Sequence, residues 1–140
     1  MIELDNQTDI EIDIEALEKI ASALTDATIE LLITDNDTIR KLNASYRDKD
    51  KPTDVLSFPV EQEIPGMPLG SIVISEAFVR ENASAYSHTE QDELSLLFIH
   101  GLLHLLGFDH EADNGEMRIK EQKIIEKFDL PKSLIVRTVE

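Results

Sequence analysis

The chain has 140 residues, 41% of them hydrophobic, which is enough for one domain built around a single core. Its 13 lysines and arginines against 29 aspartates and glutamates give a net charge of −16, which argues against a general nucleic-acid binder held by counterion release. The absence of cysteine excludes a disulfide framework and thiolate metal ligands.

Two features favour a protein of the cytoplasm without a membrane partner. Residues 1–13 are rich in acids and carry no lysine or arginine, which is the opposite of a signal peptide. The apolar run over residues 94–106 is interrupted by His100, Gly101 and His104, and it is shorter than the about 18 residues that a membrane span requires.

In the first half of the chain, apolar spacing predicts two strands that alternate with two helices. They are a strand over 2–4, a helix over 12–24, a strand over 29–33 and a helix that ends near residue 45. The second helix has its N-cap at Thr34 or Asp35, either of which can accept a backbone hydrogen bond. Inward positions follow the helical period: Ile14, Leu17, Ile20 and Leu24, then Ile39 and Leu42.

The pattern in the second half of the chain predicts two strands followed by three helices. Strand-like runs cover residues 55–60 and 69–75, and the segment between them is made irregular by prolines and a glycine. Ser75 caps the next helix, and Thr89 with Asp92 resembles a capping box for the helix that carries most of the histidines. A last helix spans about residues 114–128 and is ended by Pro131. Its inward positions are Met117, Ile124 and Phe128.

This order of elements predicts an α+β (mixed α/β) fold in a single domain, residues 1–140. A small mixed sheet of about four strands is expected to be covered by helices, with the histidine-bearing helix at the centre. Residues 131–140 are either a tail or an extra strand, and the pattern leaves both open.

Three of the four histidines fall in the segment HGLLHLLGFDH at 100–110. His100 and His104 are four positions apart on one helix face, so both imidazoles can point at a common centre. Gly107 can adopt the left-handed conformation that ends a helix, which lets His110 approach the same centre from outside it. Three imidazoles with one open position describe a catalytic zinc site, because structural zinc normally has four protein ligands. Nickel or another divalent metal also suits imidazole.

The competing interpretation is that these histidines are packing residues with ordinary hydrogen-bond partners. Apolar side chains surround His100 and His104 on every side of the helix, which predicts that the helix is buried. Two buried imidazoles without partners would cost stability, and a metal supplies the partner.

The same histidine spacing is found in metzincin proteases, which place a glutamate directly after the first histidine as the general base. In this chain that position is Gly101, which cannot transfer a proton. A metalloprotease is therefore favoured by the ligand spacing alone and opposed by Gly101.

The segment at 100–110 closely resembles the signature of the YbeY family of bacterial ribosomal-RNA maturation factors. The segment NASYRDKDKPTDVLSFP at 43–59 resembles a second characteristic segment of that family, and LGSIVIS at 69–75 and the approach at 88–94 resemble the remaining ones. The resemblance covers roughly residues 29–128. Ser71 departs from the family, which usually has an aspartate there.

The resemblance implies a metal-dependent, single-strand-specific endoribonuclease on a mixed sheet with helices. It implies a role in the 3′-end maturation of small-subunit ribosomal RNA and in ribosome quality control. The implied partners are single-stranded or ribosomal RNA and the ribosome or small-subunit factors, with no DNA. One zinc ion per chain would be bound by His100, His104 and His110.

Two further residues are candidates for catalysis. The resemblance implies that Arg47 is required, and a guanidinium can bind a phosphate bidentately and stabilise its charge. The alternative for Arg47 is a surface ion pair with Asp48 or Asp50. Asp109 is predicted either to orient an imidazole or to accept a proton.

Other polar residues of the motifs are given structural roles. Thr53 and Asp54 are expected to shape the strand entry through side-chain to backbone hydrogen bonds, and His88 is expected at a helix start or behind the site. The basic residues near Arg47 either form a solvated face with neighbouring acids or face a substrate. They are Arg40, Lys41, Lys49 and Lys51.

A third function class is a ribosome-associated binding factor whose metal is structural and whose nuclease activity is weak or absent. The net charge of −16 supports it, because a partner or the ribosome would then deliver the RNA.

Overall fold

The computed structural model describes residues 1–60 and 67–131. Within these ranges the order is β1 (Ile2–Asn6), α1 (Ile14–Leu24), β2 (Ile29–Thr34), α2 (Asn36–Arg47), β3 (Val55–Pro59), β4 (Gly70–Ser75), α3 (Glu76–Ala85), α4 (Glu90–Leu105) and α5 (Glu116–Lys127). Each predicted strand and helix is present with similar bounds. Most of the predicted irregular loop and the segment 132–140, predicted as a tail or a strand, lie outside the described residues.

The strands form one sheet in the order β1-β2-β4-β3. β1, β2 and β4 are parallel to one another, and β3 is antiparallel to β4. Parallel neighbours need a long crossover, and α1 supplies it between β1 and β2. The predicted mixed sheet of about four strands covered by helices is confirmed for the described part of the chain.

The alternation of side chains along β4 divides the apolar residues between the two faces of the sheet. Ile72 and Ile74 belong to the main core, which includes buried side chains of α1, α4 and α5. Val73 points to the opposite face and belongs to a smaller cluster with Ile39 of α2 and Leu56 of β3.

Helix α4 is the centre of the main core. Residues 93–103 are all buried, and Leu97, Phe98 and Ile99 have no exposed surface. A large apolar side chain that is fully buried contributes about 1.5–3 kcal/mol relative to an exposed one, so this helix is a major source of stability. Packing by the rest of the fold therefore fixes the buried side chains of residues 93–103.

The helix starts follow the predicted caps. Asp35, not Thr34, is the N-cap of α2 and accepts the Thr38 N–H at 2.8 Å. Ser75 accepts the Phe78 N–H at 3.3 Å, and Thr89 accepts the Asp92 N–H at 3.0 Å. These bonds satisfy N–H groups that have no partner within the helix.

Helix α4 ends at Leu105, and Gly107 follows with a φ of 98°. This is the left-handed conformation predicted for Gly107, and it turns the chain away from the helix axis. Among the described helices, none has the length and apolar content needed to cross a membrane.

Candidate metal centre

The structure brings the three histidines of the predicted site together. His100 and His104 lie on consecutive turns of α4 with their Nε2 atoms 3.2 Å apart, and one ligand nitrogen from each histidine lies within 4.8 Å of the others. Two nitrogens that bind a tetrahedral zinc ion at about 2.0–2.1 Å are about 3.3 Å from each other. The α4 pair therefore has the spacing of two ligands to one ion.

His110 reaches the cluster from the loop after α4, as the left-handed turn at Gly107 allows. Its Nδ1 atom is buried. Among the buried side-chain nitrogen and oxygen atoms of the described residues, this is the one that lacks a hydrogen-bond partner. Buried polar atoms are nearly always satisfied, so an unpaired imidazole nitrogen here is suited to a cation. Three imidazole donors fit a divalent transition metal of the zinc type.

The surroundings of His104 favour its neutral form. Burial lowers the pKa of this imidazole, and the neighbouring His100 and His110 lower it further. The Phe108 backbone and the Asp109 charge oppose the shift and are smaller causes. Only a neutral imidazole has a lone pair to offer a metal, so this shift favours the form of His104 that can bind a cation.

Glu121, which the sequence analysis did not select, contacts the cluster from α5. Its Oε2 lies 3.3 Å from Nδ1 of His100, and its side chain is 1% exposed. One signal in the sequence was available: position 121 lies on the same inward stripe as Met117 and Ile124, at helical spacing. A glutamate on a buried stripe needs a partner, and His100 provides one.

Strand β3 forms the wall beside the first histidine. Ser57 donates a hydrogen bond from Oγ to the carbonyl oxygen of Gly101 at 2.9 Å. A Cβ atom at Gly101 would lie 2.9 Å from Cγ2 of Ile72 and 3.1 Å from Oγ of Ser57. The position that carries the general base in metzincins is thus packed against the sheet, with no room for a glutamate.

A cavity of about 590 Å³ opens beside the histidines, and Arg47 and Lys49 are among its lining residues. The guanidinium of Arg47 donates to the carbonyl oxygen of Ser57 at 3.3 Å. Asp50, one of the acids considered as a partner for Arg47, instead pairs with Arg40 at 2.7 Å. Arg47 therefore lines the cavity and is tied to β3 by this hydrogen bond.

Four of the five predicted basic residues thus divide into two pairs, and the fifth, Lys51, is exposed. Arg40 and Lys41 pair with Asp37 on the exposed side of α2, as expected of a solvated face. Arg47 and Lys49 line the cavity that contains the histidines.

Asp54 shapes the entry into β3, as predicted, because its Oδ1 accepts the Val55 N–H at 2.8 Å and the Thr53 hydroxyl at 3.4 Å. It also lines the cavity, a position that the sequence analysis did not foresee. Burial raises the pKa of Asp54, and the hydrogen bond from the Val55 N–H and the nearby His100 oppose this shift.

Asp109 also lines the cavity, where its carboxylate is exposed. Its Oδ1 accepts the Glu111 N–H at 3.0 Å. His88 lies before α4, at the end of the helix remote from the cluster, and its Nε2 is 2.7 Å from Oε1 of the buried Glu93. His88 is therefore at a helix start, as expected.

A cluster of three histidines beside a cavity that also holds an arginine and carboxylates is the arrangement of a metal-dependent hydrolase. Comparison with known proteins identifies the family within this class. The sequence model of the family Endoribonuclease YbeY matches residues 3–129. This match extends closer to the N-terminus than the resemblance over roughly residues 29–128.

Curated relatives named Endoribonuclease YbeY match nearly the whole chain. One from Sulfurovum sp. (strain NBC37-1) is 66% identical, with 98% of this chain and 97% of the relative covered. One from Helicobacter pylori (strain J99) is 54% identical, with coverage of 100% and 99%. The solution structure of TM1509 from Thermotoga maritima is 30% identical with a TM-score of 0.60, and it covers 91% of this chain and 89% of that protein.

The chain therefore belongs to the YbeY family of endoribonucleases. The resemblance of the motifs predicted that the chain is an endoribonuclease, and this prediction is confirmed.

Proposed function

We propose that this protein is a zinc-dependent endoribonuclease that cuts single-stranded RNA in the cytoplasm. Its proposed roles are the 3′-end maturation of small-subunit (16S) ribosomal RNA and ribosome quality control, with the ribosome or small-subunit factors as partners. The observation that carries the proposal is that Arg47 and the three histidines face one cavity. The names of the relatives support RNA as the substrate.

In the proposed site, His100, His104 and His110 hold the metal through neutral imidazole nitrogens. When bound, zinc supplies a Lewis acid beside the scissile phosphate. Arg47, which is always charged, binds a phosphate oxygen and stabilises the negative charge that develops on it. The donated bond to the Ser57 carbonyl positions the guanidinium for this contact.

Asp109 is the proposed proton acceptor. Its Oδ1 already accepts the Glu111 N–H, so Oδ2 is the atom proposed to take the proton from the attacking water. The exposure of Asp109 at the cavity supports this role, because an attacking water and an RNA strand can both reach it.

The net charge of −16 bears on how the RNA arrives. A strongly acidic protein repels the phosphate backbone over most of its surface, and the two basic residues that line the cavity, Arg47 and Lys49, provide only a local attraction. This supports delivery of the RNA by the ribosome or a small-subunit factor.

The two other function classes are weaker. A metalloprotease of the metzincin type needs a carboxylate where Gly101 packs against Ile72. A purely structural metal normally has four protein ligands, and three histidines form the cluster found among the described residues.

Incubation of the metal-loaded protein with single-stranded RNA, double-stranded RNA and casein tests the proposal, with chelator and the His110→Ala variant as controls. We expect cleavage of single-stranded RNA that the chelator and the variant abolish. Chelator-sensitive proteolysis of casein, with RNA intact, would replace the nuclease by a protease.

A further inference from the structure

We propose that Glu121 is a positioning residue of the metal site. Its carboxylate accepts the Nδ1–H of His100 and so leaves Nε2 of that ring for the metal. The inference rests on the proposed metal-dependent function.

The geometry around His100 assigns a different partner to each ring nitrogen. Nδ1 lies 3.3 Å from Oε2 of Glu121, and Nε2 lies 3.2 Å from Nε2 of His104 within the cluster. A neutral imidazole carries its single proton on one nitrogen and a lone pair on the other. An ionised carboxylate can only accept a hydrogen bond, so the proton belongs on Nδ1 and the lone pair on Nε2.

The burial of Glu121 gives the second argument. The residue is 1% exposed and lies on the inward stripe of α5 between Met117 and Ile124, both of which are buried. An apolar side chain at this position would pack without the cost of desolvating a charge. A carboxylate here makes His100 a stronger metal ligand and partly balances the charge of a divalent cation, which an apolar residue would not do.

The loop between α4 and α5 connects this contact to the third histidine. His110 lies in that loop, and the carboxylate of Asp113 accepts the N–H groups of Gly115 at 2.8 Å and Met117 at 3.0 Å. These two bonds fix the start of α5, the helix that carries Glu121. The segment that contains His110 is thus tied to the start of the helix that carries Glu121.

Zinc affinity measured by competition with a chromogenic chelator tests this role. Glu121→Gln keeps the size and one accepting oxygen of the side chain but removes the charge. Glu126→Gln makes the same change at an exposed position of α5 and is the matched control. We expect Glu121→Gln to weaken zinc binding about tenfold or more, and Glu126→Gln to leave it within about twofold.

Two further measurements separate positioning from a purely structural role. Melting of the metal-free proteins shows whether Glu121→Gln is folded, and long-range proton–nitrogen NMR of the zinc-loaded wild type reads the His100 tautomer without any variant. We expect a proton on Nδ1 and the metal on Nε2. Equal zinc affinity of Glu121→Gln and wild type, or a metal on Nδ1 of His100, overturns the inference while the proposed function stands. A wild type that binds no zinc overturns both.

Discussion

Ser57 on β3 and Gly101 on α4 are joined by a hydrogen bond from the serine hydroxyl to the glycine carbonyl, at 2.9 Å. The bond is buried and links residues that are 44 positions apart. It holds the turn of α4 that follows His100 directly against the strand whose Ser57 carbonyl anchors Arg47. The close approach of helix and strand at this point is possible because residue 101 has no side chain.

Gly101→Ala is therefore expected to destabilise the protein, although alanine is the better helix former. The added Cβ would lie 2.9 Å from Cγ2 of Ile72 in a packed core, and overpacking of this kind costs about 1–3 kcal/mol. Gly101→Glu should be less stable still, because it also buries a charge, and it should gain no proteolytic activity. Thermal melting and a casein assay check both variants. A Gly101→Glu protein that is as stable as wild type and digests casein would contradict the packing argument and the exclusion of a protease.

Arg47→Glu is expected to reduce RNA cleavage by about 100-fold while the fold and the metal content are kept. Arg47 is an exposed residue that lines the cavity, so its loss should change stability by less than about 1 kcal/mol. Arg118→Glu makes the same charge change at an exposed position of α5 and should cleave at nearly the wild-type rate. Melting temperature, metal content and cleavage rate are compared in one preparation of each protein. Equal loss of cleavage in both variants would show a general effect of charge and remove Arg47 from the site.

Asp54→Asn is expected to stabilise the metal-free protein near neutral pH. Burial raises the pKa of Asp54 in the folded state, so the ionised carboxylate lowers stability at pH values above that pKa. This cost disappears as the pH falls below the unfolded value of about 3.9, where the group is protonated in both states. Asparagine keeps an oxygen that can accept the Val55 N–H. Urea unfolding of both proteins across this pH range should show a stability difference near pH 7 that shrinks toward about pH 3. A variant that is less stable than wild type at every pH would show that the charge is not the controlling feature.

The His100→Ala, His104→Ala double variant is expected to lose the bound metal, because it removes two of the three proposed ligands. His88→Gln is the control, since it replaces the histidine that pairs with Glu93 away from the cluster and can keep that hydrogen bond. Elemental analysis after growth with zinc should find close to one equivalent in the wild type and in His88→Gln. Retention of a full equivalent by the double variant would mean that the metal binds elsewhere.

The parts of the site that the sequence predicted are those set by local structure. The spacing of His100 and His104 follows from the helical period, and the return of the chain to His110 follows from the freedom of Gly107 to take a left-handed φ. The contact of Glu121 with His100 could not be read in the same way, because it depends on how α5 packs against α4. The same dependence on packing between distant segments explains why the sequence does not place Asp54 beside the histidines.

The fold shows the same division between local and distant information. The sequence leaves the N-cap of α2 open between Thr34 and Asp35, because the side chains of both residue types can accept a backbone N–H. In the structure, the hydroxyl of Thr34 donates to the side chain of Gln7 instead. The strand order β1-β2-β4-β3 and the antiparallel direction of β3 depend on pairings between distant segments, which periodicity does not reveal.

Titration of the metal-free protein with zinc, with RNA cleavage followed at each addition, tests the central claim most directly. If the three-histidine cluster is the catalytic metal site, cleavage of single-stranded RNA should be absent at the start and should rise in proportion to the bound zinc. It should reach a plateau at about one equivalent, the stoichiometry of one three-histidine site. Full cleavage by the metal-free protein, or no cleavage when one equivalent is bound, would contradict the account.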